Sequence, residues 1–543
     1  MKGIRRSALA VVSLGIAGFV VHTQAQSQAS STTQVSQLAY LKPSNTEAND
    51  HFGCGGVLDG HAGFGVALSG DGNTIVVGAP HEDSGARGVN GNQNDNSIDG
   101  SGAAYVFVRN GGNWVQQAYL KASNPSMSAE FGHAVAISAD GNTVVVSAFW
   151  EASNATGVNG NQADDSIPQA GAAYVFSRRG ATWSQQAYLK ASNTGEAGTA
   201  DTFADGDQFG FSVAISDDGN TVAVGAHSED SSGINDNQAD NSMQLAGAVY
   251  VFNRTGTAWA QTAFLKAPNA EGGDMFGYSV SLSADGRTIA IGAFDEDGWF
   301  PGINGPMDNG RNGAGAVYVY VKLVNGFWTP QAYIHPSNVE AGDSFGVHVV
   351  LSDDGHTLLV GSLDEDCLAT GVNPADACDR DREGDLSSGA AHVFVRNGER
   401  WAQQAFFKAS NTGANDWFGS RLALSGDGNT AAMGASLEDA LGRGVNANQQ
   451  NNDATESGAV YLFRRNGSTW RQEAYIKGSN TEAFDQIGSA VALSRDGRTL
   501  VATALGEDSS ARGPNGNQAD NSAMESGAAY VFGITPGTTT SSR

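Results

Sequence analysis

A chain that repeats one four-strand pattern seven times has few folds open to it. Asp-Gly turns stand at Asp71, Asp140, Asp218, Asp285, Asp354, Asp427 and Asp496, between 67 and 78 residues apart. Each follows a Phe-Gly-x-x-Val-Ala-Ile-Ser type run, as at Phe131 to Ser138, and precedes a β-rich run such as Thr143 to Val146. A long polar loop comes next, then a Gly-Ala-Ala-Tyr-Val-Phe type run starting near Gly102, Gly171, Gly247, Gly315, Gly389, Gly458 and Gly527. A Gln-Ala-Tyr-Leu-Lys type run closes the unit at Lys42, Lys121, Lys190, Lys266, His335, Lys408 and Lys477. Asp-Gly tolerates positive φ and so closes a tight hairpin between the first two strands. Apolar residues alternate with period two, and no segment keeps a helical period. Four short strands per unit, repeated radially, predict an all-β, seven-bladed β-propeller of four-stranded blades over residues 37–532. An open solenoid is the competing architecture.

The chain ends favour a closed ring. The first repeat element, Gln37 to Lys42, is a fourth strand with nothing before it, and the last, Gly527 to Phe532, is a third strand with nothing after it. The N-terminal strand is expected to complete the last blade, which removes exposed sheet edges. Trp114, Trp183, Trp259, Trp328, Trp401 and Trp470 recur in the fourth strands and read as packing residues.

The Phe131-Gly132, Phe209-Gly210, Phe276-Gly277, Phe345-Gly346 and Phe418-Gly419 pairs, with Gly78-Ala79-Pro80, Gly225-Ala226, Gly292-Ala293 and Gly434-Ala435, resemble the FG-GAP repeats of the integrin α-subunit propeller and its bacterial relatives. The seventh copy has Ile487-Gly488. In the first, Ala62-Gly63 holds the place counted back from Asp71, and Phe52-Gly53 looks like the original pair, displaced by an insertion running to His61. The family's Asp-x-Asp-x-Asp-Gly calcium loop does not carry over. Its place is taken by a Ser-x-Asp-Gly hairpin, too short to supply six to eight oxygens. The resemblance implies a ligand face built from the loops between strands two and three and the blade-to-blade links. Those loops are long here, and long loops in compact domains are usually functional or specially ordered.

Two sets of loop residues are candidates. Hard oxygen donors at Asp83, Asn92, Asp95, Asp230, Asn237, Asp240, Asp508, Asn517 and Asp520 suit Ca²⁺. The same residue types order turns by bonding neighbouring backbone, and both readings stand. Trp150, Trp299, Phe300 and Trp417 break the repeat on the loop-rich face and are candidate anchors for an extracellular protein or glycan, the alternative being that each tucks into its own loop. His51, Cys54 and His61 around the first-blade insertion match no strong zinc spacing.

With 57 acidic against 30 basic residues, the net charge of -27 opposes nucleic acid and anionic lipid as partners. Lys2, Arg5 and Arg6, the apolar run from Ala8 to Val21 and a cleavage site at Thr23-Gln24-Ala25 read as a signal peptide over 1–25. A short segment, 26–36, precedes the propeller, and 533–543 reads as a disordered polar tail. The expected product is exported, without membrane insertion after signal removal. Cys367 and Cys378 are expected to pair in an oxidising compartment, leaving Cys54 over. Binding or adhesion, needing no cofactor, is the leading functional expectation. A hydrolase acting on polysaccharide or phospholipid and a structural matrix protein are the alternatives. A polar axial pocket holding His51 or His61 favours the enzyme, and a face displaying the loop tryptophans favours binding.

Overall fold

The computed structural model describes residues 33–54, 64–195, 206–233, 238–298, 300–308, 310, 312–374 and 386–537. The expected signal peptide, His61, Asn237, Trp299, Cys378 and the end of the tail lie outside the described residues.

Seven antiparallel sheets form the blades of an all-β propeller. Blade two is representative: Val135–Ile137, Thr143–Ala148, Ala172–Arg179 and Thr182–Leu189, paired in that order. The second strand, flanked on both sides, is buried at every residue, which its unbroken Val run suits. The outer strand alternates exposed and buried, with Trp183 buried and its indole N–H donating to Gln117 of the preceding blade at 2.9 Å. Trp114, Trp259, Trp401 and Trp470 are buried likewise, and Trp328 is half-buried. Blade five carries an added strand, Gly371–Val372, on its outer edge.

In the seventh sheet, Gln34–Leu41 lies outside Ala528–Thr535, followed by Thr499–Ala504 and Ile487–Leu493. Both terminal strands run three residues past the expected boundaries of 37 and 532. Val35 pairs with Ile534, which is buried, so the antiparallel partner turns what reads as a polar tail into strand.

Each Phe-Gly pair joins neighbouring blades. Phe131 meets Tyr174 and Phe176 edge-on at 5.3 and 6.1 Å, and its carbonyl lies against Gly102 of the preceding blade, where a β-carbon would clash. In the first blade this role belongs to Phe52-Gly53. Phe52 meets Tyr105 and Phe107 edge-on, and the Gly53 N–H donates to Gly78 as that of Gly132 does to Ser147. The insertion therefore falls after the motif, between Cys54 and the short strand Val66–Leu68.

On the short-turn face the seven Ser-x-Asp-Gly hairpins are linked in a ring. The N–H of each x residue donates to the carbonyl of the next, from Gly70 through Ala139, Asp217, Ala284, Asp353, Gly426 and Arg495 back to Gly70. Arg495 also bridges the carboxylates of Asp217 and Asp353 across the ring. Within each hairpin the Ser hydroxyl bonds the Asp, as Ser138 does Asp140 at 2.6 Å, and accepts from the following strand at Thr143.

Candidate functional site on the loop-rich face

Three positions per blade face the axis at the loop-rich end. The first precedes the Phe-Gly pair and is His51, Glu130, Gln208, Met275, Ser344, Trp417 or Gln486. All seven are left-handed, with φ between 53° and 57°. None is glycine or asparagine, so each conformation is strained by about 1–3 kcal/mol. It is held because each N–H donates to the end of the preceding blade's long loop, as Glu130 does to Gly100 at 3.1 Å and Gln486 to Glu456 at 3.0 Å. The second position follows the Phe-Gly pair: Cys54, His133, Phe211, Tyr278, Val347, Ser420 and Ser489. The third follows strand two, as at Phe149, His227, Phe294, Leu363, Ser436 and Leu505.

These positions divide the axial mouth chemically. Blades two to four present aromatics that touch in sequence. His133 stacks on Phe149 at 3.9 Å, Phe211 meets His227 at 4.2 Å and Tyr278 at 4.7 Å, and Tyr278 meets Phe294 at 4.3 Å. They line a cavity of about 550 Å³ whose rim carries Asp83, Asp99 and Glu130. Blades six and seven present Ser420, Ser436 and Ser489 instead, around a second cavity of about 610 Å³. Trp417, Leu437 and Leu505 help to wall it, and Phe484 and Met524, 57% and 58% exposed, stand at its lip. His51 and His81, stacked at 4.4 Å, connect the two cavities, with His51 Nε2 3.0 Å from Glu525 Oε2.

Arg421, two residues beyond Gly419, reaches the axis from blade six. It is 4% exposed and lines both the second cavity and the narrower channel below it. Its guanidinium lies 5.8 Å from the Phe64 ring, and Nη1 donates to the Ser420 carbonyl at 2.6 Å. Burial pulls His133 down to about 3, with His227 and Arg421 adding to the effect. Burial pulls His348 down to about 3 as well, again with Arg421 adding to it. Both imidazoles are therefore neutral, and Arg421 is the charged group at this depth.

Two of the four aromatic candidates come together here. Trp150 lines the first cavity, and Trp417 lines the second, half-buried. Phe300 is exposed on its own loop, 40% accessible, and is not among the residues lining either cavity; Trp299 lies outside the described residues. Seven of the nine loop oxygen donors, all but Asp95 and Asn237, are engaged in turn hydrogen bonds. Asp83, Asp230 and Asp508 accept the N–H of Gly100, Leu245 and Glu525 at 2.8–2.9 Å. Asn92 and Asn517 accept from the backbone two residues on, and Asp240 and Asp520 accept serine hydroxyls. Among the described residues no group of three His, Cys, Asp or Glu side chains is placed to hold a metal ion. Cys367 is disulfide-bonded, and Cys54 is a buried thiol.

A set of residues that sequence reasoning missed supports the loops from below. A buried Glu at the start of the long loop meets the Lys that ends a fourth strand: Glu82 with Lys121, Glu151 with Lys190, Glu229 with Lys266 and Glu438 with Lys477 at 2.9 Å, and Glu507 with Lys42 at 3.0 Å. A tyrosine hydroxyl and a link asparagine complete the cluster, as Tyr119 and Asn45 do at Glu82. Two motifs recurring in step, one Glu and one Lys per blade with His335 in place of the Lys in the fourth, are the signal that finds it.

The FG-GAP repeat model matches the chain at residues 114–176, 259–320 and 401–463. Each stretch runs from a fourth-strand tryptophan into the third strand of the next blade. No curated relative matches. Among solved structures the chain is similar to the crystal structure of RRP9 WD40 repeats, at 10% identity and TM-score 0.43, covering 92% of this chain and 100% of that one. It is also similar to a chain of the Mitotic Checkpoint Complex crystal structure, at 12% identity and TM-score 0.43, covering 96% and 98%. Among the described residues no helix is long and apolar enough to cross a membrane.

Proposed function

Because the chain is an FG-GAP repeat protein with an integrin-like propeller, we propose that it is an exported, non-enzymatic binding or adhesion protein whose recognition site is the axial mouth of the loop-rich face. The observation that carries this reading is the row of seven left-handed residues, six of which line the two cavities. A strained residue in every blade, held by the loop beside it, fixes side chains around an opening that a folded ring does not otherwise need. Fixed aromatics in a pocket are efficient anchors because little side-chain entropy is lost on binding.

The partner is an extracellular protein or glycan. The acidic surface argues against nucleic acid and anionic membranes. Capture on a glycan array and from extracellular protein fractions is expected to weaken at least tenfold in Trp417→Ala and in Trp150→Ala, with melting temperatures near that of the parent chain. Capture that both variants retain would sink the proposal. Calcium is the cofactor to add in one arm. The loop carboxylates already satisfy backbone N–H groups, so capture and melting are expected to be the same in chelator.

One observation favours a hydrolase instead. His51 stands in the wall of the larger cavity with its ring held by Glu525, an arrangement that orients an imidazole for proton transfer. Turnover of a polysaccharide or phospholipid that disappears in His51→Gln would establish that reading.

A further inference from the structure

Resting on the axial mouth as a binding site, we infer that its larger cavity takes a carboxylate carried on an apolar body, the carboxylate meeting Arg421 and the body lying between Trp417 and the lip residues Phe484 and Met524. Arg421 is the reason. A guanidinium stays charged at any pH a folded protein meets, and desolvating it without a counter-ion is costly. Among the described residues it has no carboxylate within ion-pair distance, its Nε has no hydrogen-bond partner, and its one hydrogen bond goes to the Ser420 carbonyl. The histidines nearest to it are neutral, so they neither compensate it nor share its role. The other six blades carry Gly, Ala, Ser or His at the equivalent strand-one place, so the charge is not part of the repeat. A planar fork of donors at the base of a cavity that Trp417, Leu437 and Leu505 help to wall matches the two oxygens of a carboxylate.

The surroundings narrow the anion. Glu456, Asp508 and Glu525 stand on the upper wall of the same cavity. Desolvating a phosphate or sulfate dianion costs about four times as much as desolvating a monoanion, since the penalty grows with the square of the charge, whereas attraction to the single cation only doubles, and the carboxylates above and the overall charge of -27 offset part of that attraction. The carboxylate is supplied either by a free acid or by the C-terminus of a peptide ending in an apolar residue.

The test compares acids with their amides. Titration calorimetry of the propeller with 3-phenylpropionate and with N-acetyl-Gly-Phe is expected to show binding at least tenfold tighter than with 3-phenylpropionamide and N-acetyl-Gly-Phe-amide. Saturating acid should raise the melting temperature by mass action. The better of the two acids identifies the source. Arg421→Met, close in volume, is expected to remove the preference for acid over amide. The comparison on the parent chain stands even where that variant fails to fold. Equal binding of acid and amide overturns the carboxylate while leaving the mouth a binding site, provided Trp417→Ala abolishes both. Glucuronate binding more tightly than either acid also overturns it, since the apolar body would then be wrong. A preference for acid that survives in folded Arg421→Met overturns it too.

Discussion

Lys190→Met is expected to destabilise the propeller by about 3–5 kcal/mol, the cost of leaving one member of a buried ion pair alone. Lys190 is fully buried, and among the described residues its ammonium has a single side-chain partner, Glu151 Oε2 at 2.9 Å. Glu151, equally buried, also accepts from Tyr188, Asn124 and the Ser153 N–H. Those donors hold the carboxylate in place, so it cannot move to water when the ammonium is gone. Adding Glu151→Gln should recover part of the loss, because an amide retains most of these hydrogen bonds without a buried charge. The contrast is Arg443→Ala. Arg443 meets Glu482 at 3.5 Å, but both side chains are about half exposed, and the expected loss is below about 1 kcal/mol. With ~2.1 cal/mol/K of unfolding entropy per residue, each kcal/mol moves the melting temperature of a chain this long by about 1 °C. Thermal unfolding at constant pH and salt reads all three variants. Equal losses in Lys190→Met and Arg443→Ala would show that the repeated pair does not hold the loops.

Blade number and the course of the strands are legible in the sequence because packing repeats: the same hairpin recurs seven times, a Phe-Gly pair six times and a Tyr-x-Phe strand five times, each fitted to the same neighbour. The first blade is legible for the same reason, since only Phe52 has the aromatic ring that Tyr105 and Phe107 require. The axial site is legible only in part. Trp150 and Trp417 stand out as departures from the repeat, whereas His133, Phe211 and Tyr278 occupy one repeat position with three different side chains. Recurrence conceals such a position, because it varies within an invariant frame. Arg421 is harder still. One arginine among 30 basic residues carries no mark in the sequence, and its meaning comes from the depth to which strand one carries it. The calcium reading and the turn reading differ for a similar reason. Composition supplies the oxygens, but only the backbone path decides whether Asp83 faces an ion or, as found, the N–H of Gly100.

The melting temperature is expected to fall between pH 5 and pH 8, by on the order of 8 °C. Six blade-to-blade links each bury one aspartate: Asp50, Asp207, Asp274, Asp343, Asp416 and Asp485. Burial pushes Asp50 and Asp343 up to about 8 and the other four up to about 7, and the buried Glu of the adjoining blade adds to the rise in every case. A carboxyl whose folded pKa lies above its unfolded one binds more protons in the folded state, so stability falls as pH rises from about 4 to about 8. One pKa unit is worth about 1.4 kcal/mol, so a single unit at each of six sites amounts to roughly 8 kcal/mol. Below this range the sign reverses. Burial raises the hairpin carboxyls of Asp71, Asp140, Asp218 and Asp427, but hydrogen bonds from the Ser and Asn beside them outweigh it and leave them lowered. Their contribution is lost as pH drops through those lowered values, which places the optimum between about pH 4 and 6. The link aspartates make their own control. Asp343 accepts the Glu340 N–H at 2.9 Å, a bond that an amide oxygen also makes. Asp343→Asn should therefore raise the melting temperature at pH 8, leave it near the parent value at pH 5 and shallow the slope between them. A parent chain equally stable at pH 5 and pH 8 would mean that the links hold their carboxylates ionised.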